Sequence, residues 1–276
     1  MRLAEIYRTA FVTGASTGLG RAFAEMLLAE GVEVWGTSRD TGRLAPLARA
    51  ATVGASFHPV ALDLRDGEAA VATFAAAAQA AGGFDLVINN AGYGVLAEFT
   101  AVEFGVWREQ LDVMLVNTAR LAHAALAPMQ VRQRGALVNI SSLAAEFPLP
   151  FQSAYNIAKA GLTALSESPM VETAGTGVVI LDVRPGDYRT DFEGSVRRPQ
   201  ARASGRLERA WAAFSRMMET GPEPQHAAEA LRRALLRRKS GTVRTGRIFQ
   251  AVVAPLLTRL APLSLKRRIQ ASYFDV

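Results

Sequence analysis

The sequence predicts a doubly wound α/β fold, a three-layer α/β/α sandwich around a mostly parallel sheet of six or seven strands. Three observations predict it. Short apolar strands alternate with helical segments along the chain. The strands read as apolar runs, the pattern of strands covered on both faces. A glycine-rich turn joins the first strand to the first helix, where such sheets bind ligands beyond the carboxyl ends of their strands.

The elements follow in order. Residues 9–14 (TAFVTG) form a short buried strand, and residues 19–30 have helical spacing that Gly31 ends. Residues 32–38 (VEVWGTS) are the second strand and 57–63 (FHPVALD) the third, with Pro59 near its start. An alanine-rich helix spans 66–81, then a fourth strand 85–89 (DLVIN), a long helix over about 101–128 and a fifth strand 136–141 (ALVNIS). A helix containing SAYNIAKAG (153–161) and a sixth strand 177–183 (GVVILDV) follow. Residues 186–205 are polar and arginine-rich and read as a mobile loop. Two helices are expected at about 206–219 and 223–239, a candidate seventh strand at 242–247, and short helices over 248–272, where Pro255 and Pro262 interrupt the apolar tail.

The totals exclude several chemistries. The 276 residues contain no cysteine, so disulfides, thiolate metal sites and cysteine nucleophiles are absent. His58, His123 and His226 are scattered without metal-ligand spacing, and no metal is expected. The N-terminus lacks a secretory apolar region and no apolar run could span a bilayer, so a cytoplasmic protein without a transmembrane segment is expected. The net charge is +6, concentrated in residues 197–247, where thirteen Lys/Arg face four Asp/Glu. That segment is either a solvated helix face or an attractor of phosphate, anionic lipid or acidic substrate. It lacks the aromatic interleaving of a nucleic-acid surface, and no nucleic-acid partner is expected.

The first turn, TGASTGLG at 13–20, places Gly14, Gly18 and Gly20 between a strand and a helix. Glycine permits the tight turn and close backbone approach. The helix start offers unpaired N–H groups and a positive dipole end to a pyrophosphate, with Ser16, Thr17 and Leu19 alongside. No Gly-Lys-Ser/Thr follows, so this is not a P-loop. At the end of the second strand, Ser38 and Arg39 stand where an acidic residue would take ribose hydroxyls. Arg39, with Arg43 as a second partner, either pairs with a 2′-phosphate or is a surface arginine, so NADP(H) is favoured over NAD(H). Asp63, followed by Leu64, either accepts from an adenine amino group or caps the next helix.

With these elements in order, the sequence resembles the short-chain dehydrogenase/reductase family over roughly residues 8–192. The matching residues are Thr13-Gly14-x-x-x-Gly18-x-Gly20, Asp63-Leu64, Asn89-Asn90-Ala91-Gly92, Asn117, Ser142, Tyr155-x-x-x-Lys159, and Pro185-Gly186 with Thr190. The resemblance implies a Rossmann-like fold, a nicotinamide cofactor, and interconversion of a carbonyl and an alcohol. It further implies that Lys159 binds the nicotinamide ribose, that Asn117 holds a water linking Lys159 to solvent, and that Thr190 bonds the carboxamide. The turn from Asn89 to Gly92 is expected to pack the cofactor floor, with Pro185 and Gly186 also at the cofactor. A homodimer or homotetramer is expected.

The chemistry can be argued from the residues. Lys159 lies one helical turn from Tyr155, so both can face one way. A phenol titrates near about pH 10, and a nearby ammonium together with an oxidised nicotinamide is expected to lower that value. Tyr155 would then serve as general acid/base, with Ser142 hydrogen-bonding the same substrate oxygen. Pro169 is expected to kink or end this helix downstream of the tyrosine.

Tyr93, Val95, Leu96, Phe147, Leu149, Phe151, Tyr188 and Phe192 follow strands and either line an apolar substrate pocket or pack in the core. The apolar tail either caps that pocket, forms a subunit contact or rests on a membrane. Residues 1–276 are expected to be one dinucleotide-binding catalytic domain, with 186–276 supplying a substrate loop and helical extension. The leading expectation is an NADP-dependent carbonyl reductase or alcohol dehydrogenase; the competing one is a nucleotide-sensing protein of the same fold without turnover.

Overall fold

The computed structural model describes residues 1–50, 55–199, 202–256 and 261–276. Seven strands form one sheet in the order β3-β2-β1-β4-β5-β6-β7, and every neighbouring pair is parallel. They are β1 (Thr9–Val12), β2 (Glu33–Ser38), β3 (Phe57–Ala61), β4 (Leu86–Asn89), β5 (Gly135–Ile140), β6 (Val178–Pro185) and β7 (Gly241–Thr245). The expected seventh strand is therefore present, pairing Val183 with Val243.

The helices are α1 (Gly18–Ala29), α2 (Ala45–Ala50), α3 (Gly67–Ala81), α4 (Phe104–Leu111), α5 (Asn117–Arg132), α6 (Ser153–Glu172), α7 (Phe192–Ser195), α8 (Gly205–Glu219), α9 (Pro224–Arg237) and α10 (Leu263–Tyr273). Local chemistry sets several ends. Asp66 caps α3 by accepting from Ala69 N–H at 3.0 Å, and Gly82 closes that helix in the left-handed conformation. Pro224 opens α9, where its missing N–H costs nothing.

Both faces of the sheet are buried. On one, Phe23 and Leu27 of α1 and Leu231 and Leu235 of α9 pack on Val12, Val34 and Ile88. On the other, residues of α3, α5 and α6 pack on Phe11, Val87 and Leu137. Phe11 is wholly buried and meets Phe74 edge-to-face, with ring centroids 5.0 Å apart. Burial of one such side chain stabilises by roughly 1.5–3 kcal/mol. These layers complete the expected sandwich.

Three local expectations need correction. The long helix read over 101–128 is divided: a π-helical turn, Asp112–Val116, separates α4 from α5. No proline or glycine within Asp112–Val116 marks the break. Pro169 does not end α6, which continues to Glu172. Only the last turn follows Pro169, so the ring removes a single N–H near the helix end, and Pro169 O still accepts from Thr173 N–H at 2.9 Å. The stretch 186–205 contains the short helix α7 and a parallel bridge from Val95 to Arg197. Within the tail, a π-helical turn (Phe249–Val253) and α10 match the expected short helices, while 257–260 lie outside the described residues. Among the described residues, no helix is long and apolar enough to cross a membrane.

Candidate active site

The strand order runs one way from β1 to β3 and the other way from β4 to β7. At the carboxyl ends of the strands near this reversal lies a cleft of about 1920 Å³. Nearly every residue expected at the cofactor lines it, from Gly14 through Ser38, Asp63 and Asn90 to Thr190; Asn89 does not, being buried and donating to Asn139 Oδ1 at 2.9 Å.

The glycine turn is shaped by backbone geometry. Gly14 and Gly18 have φ of +66° and +55°, a region that side-chain-bearing residues rarely enter. A Cβ on Gly20 would stand 2.2 Å from Gly14 O and 2.3 Å from Asn90 Nδ2. Asn90 pins the turn by donating to Thr13 O at 3.0 Å and Gly14 O at 3.2 Å. Thr17 makes no side-chain cap, which leaves the first N–H groups of α1 available to an anion. This tight cradle at a helix N-terminus fits the pyrophosphate of a dinucleotide.

At the adenosine end, Arg39 and Arg43 are exposed on the cleft wall and form no ion pair among the described residues. Nearby acidic groups are engaged. Asp40 accepts from Gly42 N–H at 2.9 Å, and Asp63 pairs with Arg65. The Arg65 hydrogen bond holds the Asp63 carboxyl below its ordinary value, and the Arg39 charge adds to this. Asp63 thus faces the cleft, while the helix cap it was an alternative for is Asp66.

At the other end, α6 packs against β5 and brings Tyr155 and Lys159 to the loop that carries Ser142. Ser142 Oγ accepts from Ala144 N–H at 3.0 Å and donates to Pro185 O at 3.5 Å, and it lines the same part of the cleft as Tyr155, whose phenol it helps to lower. Lys159 Nζ donates to Ile140 O at 2.8 Å and lies 5.5 Å from the centroid of the Tyr155 ring. Burial dominates both titrations. It pushes the Tyr155 phenol up to about 12, against the effect of Ser142, and the Lys159 ammonium down to about 8, against the field of Asp182. The expected lowering of the phenol is therefore not a property of this chain alone. The ammonium is bonded to a carbonyl beside the ring, and desolvation outweighs its attraction.

Not every expected residue joins the site. Asn117 is buried, does not line the cleft, and donates to Leu64 O at 2.7 Å. Its carboxamide oxygen is turned toward Gly67, so its side chain is committed to the β3–α3 connection rather than to Lys159. Tyr93, Phe147, Leu149, Tyr188 and Phe192 line the cleft. The Tyr188 hydroxyl is engaged with Thr245 Oγ1 at 2.6 Å and His226 Nδ1 at 2.8 Å. Val95 does not line it: its loop folds back, and the side chain packs in a separate cluster with Trp107 and Ala154. Leu96 is buried too, and Phe151 uses its carbonyl to accept from Ala97 N–H at 3.0 Å.

With this geometry in place, comparison with known proteins is decisive. The short chain dehydrogenase family model matches residues 8–201. The chain belongs to the short-chain dehydrogenases. An uncharacterized oxidoreductase of Myxococcus xanthus is 37% identical over 187 residues, 67% of this chain and 74% of the relative. A short-chain dehydrogenase from Streptomyces avermitilis superposes with a TM-score of 0.81 at 30% identity, covering 95% of this chain and 96% of that one. A short-chain dehydrogenase/reductase from Burkholderia phymatum, solved in complex with NAD, has a TM-score of 0.79 at 25% identity, with 92% of each chain covered. The protein is thus an oxidoreductase of a family whose solved members bind nicotinamide dinucleotides.

Sequence reasoning missed part of this dehydrogenase's cleft. Asp187, Gln250 and Tyr273 line it together. Asp187 lies inside the Pro185-Gly186 to Thr190 stretch and was within reach of a motif reading. Gln250 and Tyr273 sit in a tail with no motif, and only the folded chain brings them to the site.

Proposed function

We propose that this enzyme interconverts an apolar ketone or aldehyde and its alcohol, preferring NADP(H) to NAD(H). The observation that carries the reading is the meeting of Ser142, Tyr155 and Lys159 in the same cleft as the glycine cradle. The nicotinamide, when bound, supplies hydride in reduction and accepts it in oxidation.

The chain's own residues handle the oxygen. A phenol pushed up to about 12 remains protonated at neutral pH and can donate to a carbonyl oxygen as the carbon is reduced. The Ser142 hydroxyl, beside that phenol in the cleft, can donate to the same oxygen and hold it in place. Lys159 keeps a positive charge beside the ring and favours the phenolate left after transfer. A sensor without turnover would need neither the buried lysine nor a serine and a tyrosine placed together in the cleft. Phe147, Leu149, Phe192 and Phe214 give the substrate end an apolar wall.

The cofactor preference rests on Arg39 and Arg43, exposed on the wall without carboxylate partners among the described residues. A 2′-phosphate is a suitable anion for such a pair. Reduction of an aryl ketone should consume NADPH with a kcat/KM at least about tenfold above that with NADH, the worth of one charge-assisted contact. Arg39→Asp should reverse that preference. An unchanged ratio in the variant would show that Arg39 does not read the phosphate, and no turnover of any carbonyl would remove the reading itself.

A further inference from the structure

Beyond the oxygen-handling set, the cleft contains a second polar cluster. Asp187 directly follows Pro185-Gly186, at the end of β6. Its Oδ2 accepts from Gln250 Nε2 at 2.5 Å and from the Tyr273 hydroxyl at 3.4 Å. Gln250 also donates to the Tyr273 oxygen at 2.7 Å, so the three side chains lock one another. Both bonds fall on one carboxylate oxygen. The other, Oδ1, receives none among the described residues, although Asp187 lines the cleft.

The remaining carboxylates of the cleft wall differ. Glu146 is held by Arg184 and Arg244, Glu109 by Arg197, Asp63 by Arg65, and Glu193 accepts from Ser215. Asp191 is exposed. Arg247 lies close enough for its charge to act on Asp187, but its guanidinium is bonded to Thr220. Asp187 therefore lines the cleft with one carboxylate oxygen that has no hydrogen-bond or ion-pair partner among the described residues. It lines the same cleft as Ser142, Tyr155 and Lys159, and its charge helps to raise the Tyr155 phenol. The apolar side chains of Leu143, Phe249 and Phe274 line that cleft too.

We propose that Asp187 Oδ1 is a recognition point for the substrate, accepting a hydrogen bond from a hydroxyl or ammonium group carried near the carbonyl on an otherwise apolar skeleton. This rests on the carbonyl-reductase reading and narrows its substrate class to hydroxy- or amino-ketones and the corresponding diols or amino alcohols. Asp187 is half-buried, and a carboxylate oxygen left open in a cleft wall is a strong acceptor; a donor on the substrate can pair with it while fixing which face meets the nicotinamide. Gln250 and Tyr273 are positioning residues, since both hydrogen-bond Oδ2 and so orient the carboxylate.

The test uses the full-length enzyme with NADPH and three matched aryl ketones: unsubstituted, α-hydroxy and α-ammonium. The hydroxy or ammonium ketone should have a kcat/KM roughly tenfold or more above the plain ketone, as expected for a hydrogen bond to a charged group. In Asp187→Asn the ratio for the ammonium ketone should collapse, and in Asp187→Ala both ratios should. Calorimetry with the corresponding α-hydroxy amide, which is not reduced, should show the same order of affinities. Wild-type enzyme that reduces all three ketones equally, or a preference that survives both variants, would overturn the assignment and leave the reductase reading standing. Failure to reduce any of the three, with no binding of the amide, would overturn both.

Discussion

Two tyrosines share one cleft, each next to a charged side chain of opposite sign. Tyr155 has the Lys159 ammonium 5.5 Å from its ring centroid, while the Tyr273 hydroxyl donates to the Asp187 carboxylate. Burial raises both phenols, and the Asp187 carboxylate raises both further, at Tyr273 through direct contact. Their mountings differ. Tyr155 stands in the first turn of a 20-residue helix packed against β5 and β6, with Ser142 on the neighbouring loop. Tyr273 is the last residue of α10 and is tied to the cleft through Gln250 and Asp187. A proton donor must be placed by the scaffold, whereas a phenol that merely orients a carboxylate can be supplied by the chain's tail. Both phenols feel the Asp187 charge, but only the first also has an ammonium over its ring, which can favour the phenolate once the proton has left.

Tyr155→Phe should have the largest effect. It removes one hydroxyl, with the ring and its contact to Phe192 retained. Turnover of any ketone should fall by roughly 10²–10⁴-fold, the usual worth of a positioned general acid, while NADPH titration by fluorescence remains normal. Retained turnover would make the two tyrosines equivalent and break the contrast.

Tyr273→Phe should be milder. It deletes the donor to Asp187 Oδ2 and leaves Gln250 to hold the carboxylate. The kcat/KM for an α-hydroxy ketone should drop by about three- to tenfold, the range of one neutral hydrogen bond, mostly through KM. A loss as deep as that of Tyr155→Phe would mean that the tail tyrosine takes part in proton transfer.

The sequence made one member of this pair legible and hid the other, for a physical reason. Tyr155 and Lys159 are four residues apart on a helix, so local geometry alone puts them on one face. The glycine turn is equally local: its positive φ angles and strand–helix placement are written in adjacent residues. The seven strands could be read because burial on both faces leaves continuous apolar runs. Asp187, Gln250 and Tyr273 span 87 positions of sequence, and nothing at any of them signals the others. Val95 and Leu96 show the same limit in reverse: an apolar residue after a strand suits a pocket or a core, and here the loop turns them inward. Asn117 illustrates a third case, in which the expected residue is present but its amide is committed to Leu64 O.

The smallest effect concerns the cation itself. Burial lowers Lys159 from its ordinary 10.5 to about 8. Between those values the unfolded chain binds the proton that the folded chain has released, so stability rises with pH across that window. Tyr7, Tyr155 and Tyr188 act in the opposite direction, but only above their ordinary value of 10, because each is pushed up to about 12 in the fold. There the unfolded phenols lose protons that the folded ones keep, and stability falls with further alkalinity. Chemical denaturation of wild-type enzyme at pH steps from about 8 to 10 should therefore give a rising contribution that Lys159→Met abolishes, while the decline above about 10 persists in the variant. An identical pH profile in both proteins would mean that the ammonium is as well solvated as a surface lysine. It would then lie outside the buried setting that distinguishes the first tyrosine from the second.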